Sequence, residues 1–388
     1  MLSKRASSSS AQKQTDQILQ RKRDPVDGTL MTVFIMLLLA GLLVLFSATY
    51  YNAQDAGDPF REVRRQMIGI GLGALAMIVT SRIPYRFWQD TWVVIGALAL
   101  SALLLILVII PGVGVYINGS RRWLSIAGLS FQPSELAKIA IVLYMATTLT
   151  YRGRKIRTLF SGVVPVLMVP GMFFLLILEQ PNLSTAGSIL IVSFLMILMA
   201  GAQGRHLLML LAGGIGLGGF YAWSEPYRRE RLLSFTNPFA KMHDEGYQLA
   251  QSLIAFGSGG IFGMGLGKGR QKYAYLPYPE SDFIFAIVGE DFGLAGCVAV
   301  IALFTAFMLS GMRIAMKCRD KFGALLAAGI TCSISVQAFL NMGVVIGILP
   351  TTGLPLPFFS AGGTSISITM AAVGILMNIS RTAGKMET

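Results

Sequence analysis

Long apolar runs, broken by short polar connections that carry Gly, Pro and basic residues, recur from Thr29 almost to the end of the chain. A helix needs about 20 apolar residues to cross roughly 30 Å of hydrocarbon. Runs of that length therefore predict membrane-spanning helices and not the core of a soluble domain. Ten are predicted, at about Thr29–Thr49, Gln66–Ile83, Trp92–Ile110, Gln132–Tyr151, Gly162–Leu178, Leu183–Ala200, Leu207–Trp223, Asp282–Ser310, Phe322–Leu349 and Ile366–Ile379. The fold class is an all-α integral membrane bundle, 29–380, between a polar tail at 1–28 and a short tail at 381–388. The connection at 224–281, between the seventh and eighth spans, is far longer than ordinary loops and is marked out as functional.

Composition agrees with this pattern. Of 388 residues 54% are hydrophobic and only 13% charged, with a mean hydropathy of +0.64, which excludes an ordinary soluble globule. The net charge of +13 raises nucleic acid as a partner, but the basic residues sit in short loops between spans, where orientation signals and anionic lipid account for them. The basic tail before the first span and the run Arg152–Arg157 (RGRKIR) place both termini in the cytoplasm. Arg61, Arg64 and Arg65 break the rule on the outer face, as an amphipathic entry or a lipid-phosphate contact would. The first 27 residues lack the apolar core of a signal peptide. Cys297, Cys318 and Cys332 have neither disulfide nor metal spacing.

Candidate chemistry gathers on the outer face. In LPYPESDFIFAIVGEDFG (Leu276–Gly293), Asp282 stands where a polar loop meets a span. Such a carboxylate reads either as a functional group at membrane depth or as a helix cap together with Ser281. Glu135 and Lys138 lie three apart on one helical face and are expected to pair, structurally or around a polar cavity. Arg121 and Arg122 beside Trp123 read as a phosphate contact or as interfacial anchoring. The glycine-rich part of the long loop brings Lys268, Arg270 and Lys272 together without the spacing of a Walker A motif. It reads as a nest for diphosphate oxygens or as a hairpin between re-entrant helices. Gln251 and Ser252 in the same loop are added as candidate substrate contacts. His243 beside Asp244 and Glu245 reads as a surface pair. The Pro/Gly-rich run Gly343–Ser365 implies a cavity wall, because broken backbone at membrane depth needs protein or water around it.

Taken together, GSRRWLSIAG, QPSELAK, the QPNLSTA run after Glu179, the loop DEGYQLAQ to KYAYLP, ESDFIFAIVGEDFG and LPTTGLPLPFFSAGGTS resemble, in order, the SEDS family (shape, elongation, division and sporulation). The likeness runs from about Thr29 to Ser380 and is nearer the FtsW and SpoVE branch than RodA. The resemblance implies a plasma-membrane peptidoglycan glycosyltransferase that polymerises lipid II on the extracytoplasmic side. It implies partnership with a class B penicillin-binding protein, a transpeptidase, among other division proteins. It also implies that Asp282 matches the family's essential acid and that Glu135 and Lys138 match its intramembrane ion pair. Asn182 departs from an Asp found in many members, and Ala361 from a Tyr or similar residue.

On this reading Asp282 is the general base for an acceptor sugar hydroxyl, and polyprenyl diphosphate is the leaving group. Arg121, Arg122, Lys268, Arg270 and Lys272 are the candidate counter-charges, with a divalent cation (Mg or Mn) as an added source; no protein metal ligands and no organic cofactor are expected. A lipid II flippase and a non-catalytic scaffold for a transpeptidase are the alternatives.

Overall fold

The computed structural model describes residues 26–55, 58, 60–117, 120–126, 129–224, 235–241, 246–273 and 275–383. Most of the two expected tails, the His243 cluster and part of the long loop lie outside the described residues. Every segment expected to span is helical. The helices are α1 (Gly28–Asp55), α2 (Arg61–Arg82), α3 (Thr91–Ile109), α4 (Pro133–Arg152), α5 (Val164–Leu178), α6 (Leu183–Met199), α7 (Gly204–Ser224), α9 (Ile284–Lys317), α10 (Lys321–Val345) and α11 (Gly363–Ala383). A further helix, α8 (Tyr247–Gly259), lies within the long loop.

Among the described residues, seven helices are long and apolar enough to cross a membrane by length and composition: α1, α2, α3, α5 with its leading turn, α9, α10 and α11. The apolar α6 is shorter. The molecule is a multi-pass membrane protein. It is not wholly helical, and here the all-α expectation needs correcting. Between α3 and α4 lies an antiparallel sheet of three strands, β1 (Gly114–Ile117), β2 (Ser120–Ile126) and β3 (Leu129–Phe131), in the order β1-β2-β3.

Two packing motifs set the frame. The buried helix α10 forms the axis, against α4, α6, α9 and α11. The second motif pairs α2 with α11 through small residues, which let backbones approach in lipid. A Cβ on Gly69 would lie 2.4 Å from Gly363 Cα, and one on Gly374 would lie 2.1 Å from Thr80 Oγ1. Side chains then bond across the seam: Ser367 Oγ donates to Gly69 O (2.7 Å) and Asn378 Nδ2 to Ser81 O (2.8 Å).

Helix α9 is broken at Gly293, where φ is +67°. A break at this depth frees backbone groups that must find partners. The chain just after α8 supplies them: Met264 N–H donates to Glu290 O (2.9 Å) and Gly265 N–H to Asp291 O (3.0 Å). In return, Leu294 N–H donates to Gly260 O (2.9 Å) and Ala295 N–H to Ile261 O (3.0 Å). This splice tolerates no side chains; a Cβ on Gly293 would lie 2.4 Å from Gly263 N, and one on Gly263 2.2 Å from Asp291 O. Gly293→Ala is therefore expected to destabilise the protein by about 2 kcal/mol or more. Gly257→Ala, on an open face of α8, should be neutral or slightly stabilising. Thermal unfolding in detergent measures both.

Candidate functional site

Asp282 is the last but one residue before α9. Phe283 occupies the N-cap position with no side-chain cap bond, so neither Ser281 nor Asp282 is used as a helix cap. Ser281 Oγ donates instead to Asp282 Oδ1 (2.9 Å). The segment is held through its backbone. Ala361 N–H donates to Glu280 O (2.7 Å), Ser360 Oγ to Ser281 O (2.6 Å) and Asn341 Nδ2 to Asp282 O (2.7 Å). Asn341 Nδ2 also reaches Leu354 O (2.6 Å), so one buried amide ties the start of α9 to the Pro/Gly-rich run after α10. From α2, Gln66 Nε2 donates to Ser360 O (3.3 Å) while its Oε1 accepts from Gly362 N–H (3.2 Å).

That run also carries Gly353, whose missing side chain defines a small space. A Cβ there would lie 3.2 Å from Asp282 Oδ2 and 3.5 Å from Arg122 Nη1. Arg122 reaches this point from β2, with Nε donating to Gln180 O (3.1 Å) and Nη2 to Pro181 O. Its neighbour Arg121 points elsewhere, as successive strand residues must, and its guanidinium lies over the Tyr116 ring at 5.5 Å. Trp123 follows on β2 opposite Val115, half-buried. Asn182, in the loop that Arg122 grips, caps α6 by accepting from Thr185 N–H (3.2 Å). A cap needs an oxygen and no charge, which accounts for Asn at this position without any metal.

The expected ion pair forms. Lys138 Nζ is 2.8 Å from Glu135 Oε1, both buried. Lys138 also donates to Gln337 Oε1, whose Nε2 donates to Pro355 O (2.8 Å), and Ser365 Oγ donates to Glu135 Oε2 (2.9 Å). The pair thus bridges α4, α10 and α11 beside a cavity of about 10 Å³, room for about one water. It sits behind the Asp282 segment, connected to it through Pro355 and Leu354.

Lys272, read from the sequence as a diphosphate contact, is buried. Its Nζ lies 2.7 and 2.9 Å from the Asp291 oxygens and 2.8 Å from Ser47 Oγ. The backbone N–H groups of Arg270 and Gln271 donate to buried Glu290 Oε1 at 2.5 and 2.9 Å. These groups, with the Gly263, Met264 and Gly265 N–H groups of the helix splice, are turned inward, so they offer no donors to a nest, one of the two readings of this loop. Lys268 and Arg270 keep exposed side chains. Ser252 Oγ on α8 donates to Val345 O (2.7 Å) in α10, and Gln251 is buried beside it.

Asn341, Ser360, Gln66, Gln337 and Gly353 escaped the sequence reading. A signal existed for two of them: Gln337 and Asn341, four apart in an apolar span, are polar residues at membrane depth. Among the described residues no group of three His, Cys, Asp or Glu side chains converges.

The geometry defines a multi-pass membrane protein in which a partly exposed carboxylate, Asp282, and the Arg122 guanidinium come together at Gly353. Comparison with known proteins then fixes the family. Residues 28–385 match the model of the FtsW/RodA/SpoVE cell cycle proteins, and the chain belongs to that family. It is 40% identical to stage V sporulation protein E of Bacillus subtilis over 93% of this chain and 98% of that one. It is also 40% identical to a probable peptidoglycan glycosyltransferase FtsW of Geobacter metallireducens, over 91% and 94% of the two chains. Among solved structures, a chain of a peptidoglycan synthase complex superposes with a TM-score of 0.76 at 27% identity, covering 93% of this chain and 99% of that one. The rod shape determining protein RodA of Thermus thermophilus gives 0.67 at 26%, covering 93% and 98%.

Glu280, next to the site, has its carboxyl pushed above the usual range, first by burial and further by the nearby charges of Glu62 and Asp282. A raised carboxyl gives its full stability only below its unfolded value and loses it as pH rises through the folded value. Glu280→Gln is therefore expected to raise the unfolding temperature at neutral pH by about one to three degrees. The gain should vanish below about pH 4.5; a melt series from pH 4 to 8 reads this directly.

Proposed function

We propose that this protein is a peptidoglycan glycosyltransferase that polymerises lipid II, acting on the extracytoplasmic side of a bilayer that the chain crosses ten times with both termini in the cytoplasm. The observation that carries the reading is the meeting of Asp282 and Arg122 at Gly353, in a chain whose relatives include named glycosyltransferases. A sugar hydroxyl is a weak nucleophile and needs a base in reach, and a departing diphosphate needs positive charge.

In the proposed step the acceptor hydroxyl loses its proton to the Asp282 carboxylate. Its oxygen forms a bond to the anomeric carbon of the growing glycan. The bond from that carbon to the diphosphate oxygen breaks, and polyprenyl diphosphate leaves with the electron pair. Arg122 faces the developing charge, while Lys268 and Arg270 are free to meet the diphosphate further out. Lys272 keeps the loop in place through Asp291. The proposed partner is a class B penicillin-binding protein, which cross-links the strands made here; the superposition on a chain of a peptidoglycan synthase complex supports it.

Asp282→Asn keeps the size of the side chain and removes the base. Polymerisation of lipid II by purified protein with its transpeptidase, read on a gel, is expected to fall by about 100-fold or more with partner binding intact. Retained polymer would remove Asp282 from the chemistry. Lipid II crossing vesicles without polymer would replace the proposal by transport.

Gly353 has a φ open to any residue, so Gly353→Ala fills the space at Asp282 without backbone strain. Turnover is expected to drop by about 10- to 100-fold while the unfolding temperature holds. Unchanged turnover would show that substrate does not use that space.

A further inference from the structure

The segment joining α4 to α5 plays no part in the proposed chemistry, yet it concentrates positive charge in a few residues. Arg152, Arg154, Lys155 and Arg157 follow one another within two short turns, and among the described residues none of them pairs with a carboxylate. Four like charges set this close raise the local positive potential and attract an anion.

The local fold is built to hold them. Gly153 takes a φ of +52° to end α4, a tight turn runs from Gly153 to Arg157, and a wide π turn spans Leu159–Val163. Ile156 is buried and pins the first turn to the core. The second turn closes on the first so tightly that a Cβ on Gly162 would lie 2.1 Å from Lys155 O. Arg152 Nη1 donates to Ser161 O (2.7 Å), Thr158 Oγ1 lies 2.8 Å from Lys155 O, and the Thr158 and Ser161 hydroxyls are 2.7 Å apart. Between the turns lies an open groove lined by Tyr151, Arg152, Lys155, Thr158 and Ser161. At its rim two aromatic rings face outward, Tyr151 at 70% and Phe160 at 82% exposure.

We propose that this groove is a binding site for the phosphate of an anionic phospholipid headgroup, such as phosphatidylglycerol. The guanidinium of Arg152 and the ammonium of Lys155 converge on one open volume, and charged nitrogen donors are what a phosphodiester takes. Free phosphate offers the same oxygens, but the exposed rings choose between the two. Phe160 opens the apolar span Leu159–Leu178, so a lipid whose phosphate sits in the groove lays its acyl chains along α5 past that ring. Tyrosine at the headgroup level is the usual companion of such a site.

The test uses the full chain in detergent and native mass spectrometry with phosphatidylglycerol, phosphatidylcholine or inorganic phosphate added. Wild type is expected to retain phosphatidylglycerol in preference to phosphatidylcholine. Lys155→Gln is expected to weaken that retention about fivefold, whereas Arg313→Gln, removing an exposed cation of α9, should leave it unchanged. Phe160→Ser should weaken lipid retention and leave phosphate binding as it was. Melts without lipid check that each variant folds; should Lys155→Gln fail to fold, the Phe160→Ser comparison decides alone. No preference for the anionic lipid, or equal losses in Lys155→Gln and Arg313→Gln, would overturn the proposal. So would full displacement of the lipid by inorganic phosphate together with no effect of Phe160→Ser, which would make the groove a site for the free ion.

Discussion

A backbone carbonyl that lies outside any helix and is shielded from water needs a donor from elsewhere in the chain, and Asn341 supplies one where the start of α9 meets the Pro/Gly-rich run. Its one amide nitrogen serves both Asp282 O and Leu354 O. Around it, Ser360 and Ala361 take up the two preceding carbonyls. The position of Asp282 is thus fixed by its main chain, so its carboxylate is not needed to anchor the segment. Because Leu354 is held by the same amide, Gly353 is presented to Asp282 by construction. Loss of that amide would strand two buried carbonyls, each costing about 1–3 kcal/mol, before any effect on chemistry.

The same requirement explains why the glycine-rich loop looks like a ligand cradle in sequence and behaves as a splint. Breaking α9 at Gly293 frees donors and acceptors on both sides, and the chain after α8 fills them in both directions. Buried charge then locks the splint. Lys272 on the loop, Asp291 on α9 and Ser47 on α1 form one network with both ionic groups almost fully buried. Removing one member of such a pair typically costs about 3–5 kcal/mol, since the other is left charged and dry.

Much of the architecture was legible. The apolar runs gave every long helix, and Glu135 with Lys138 were paired correctly because a three-residue spacing puts them on one face. The β1-β2-β3 sheet was missed because its strands are short and lie between spans, where hydropathy carries no alternating signal strong enough to see. That omission hid the division of labour between Arg121 and Arg122, which follows from strand geometry alone. Lys272 was misjudged for a different reason: its partners, Asp291 and Ser47, are 19 and 225 residues away in sequence, and nothing local announces a buried pair. Gly353 is one glycine among many until Asp282 is placed beside it.

The seam between α2 and α11 has a consequence for biosynthesis. Helix α2 finds its closest neighbour far along the chain in α11, across Gly69, Gly363 and Gly374. Until α11 has been made, the glycine face of α2 has no such neighbour. The start of α2 and the loop bearing Gly353, bridged by Gln66, are therefore clamped from both sides only once α11 inserts. A nascent chain released early would have crossed the bilayer many times and still lack its closing stitch.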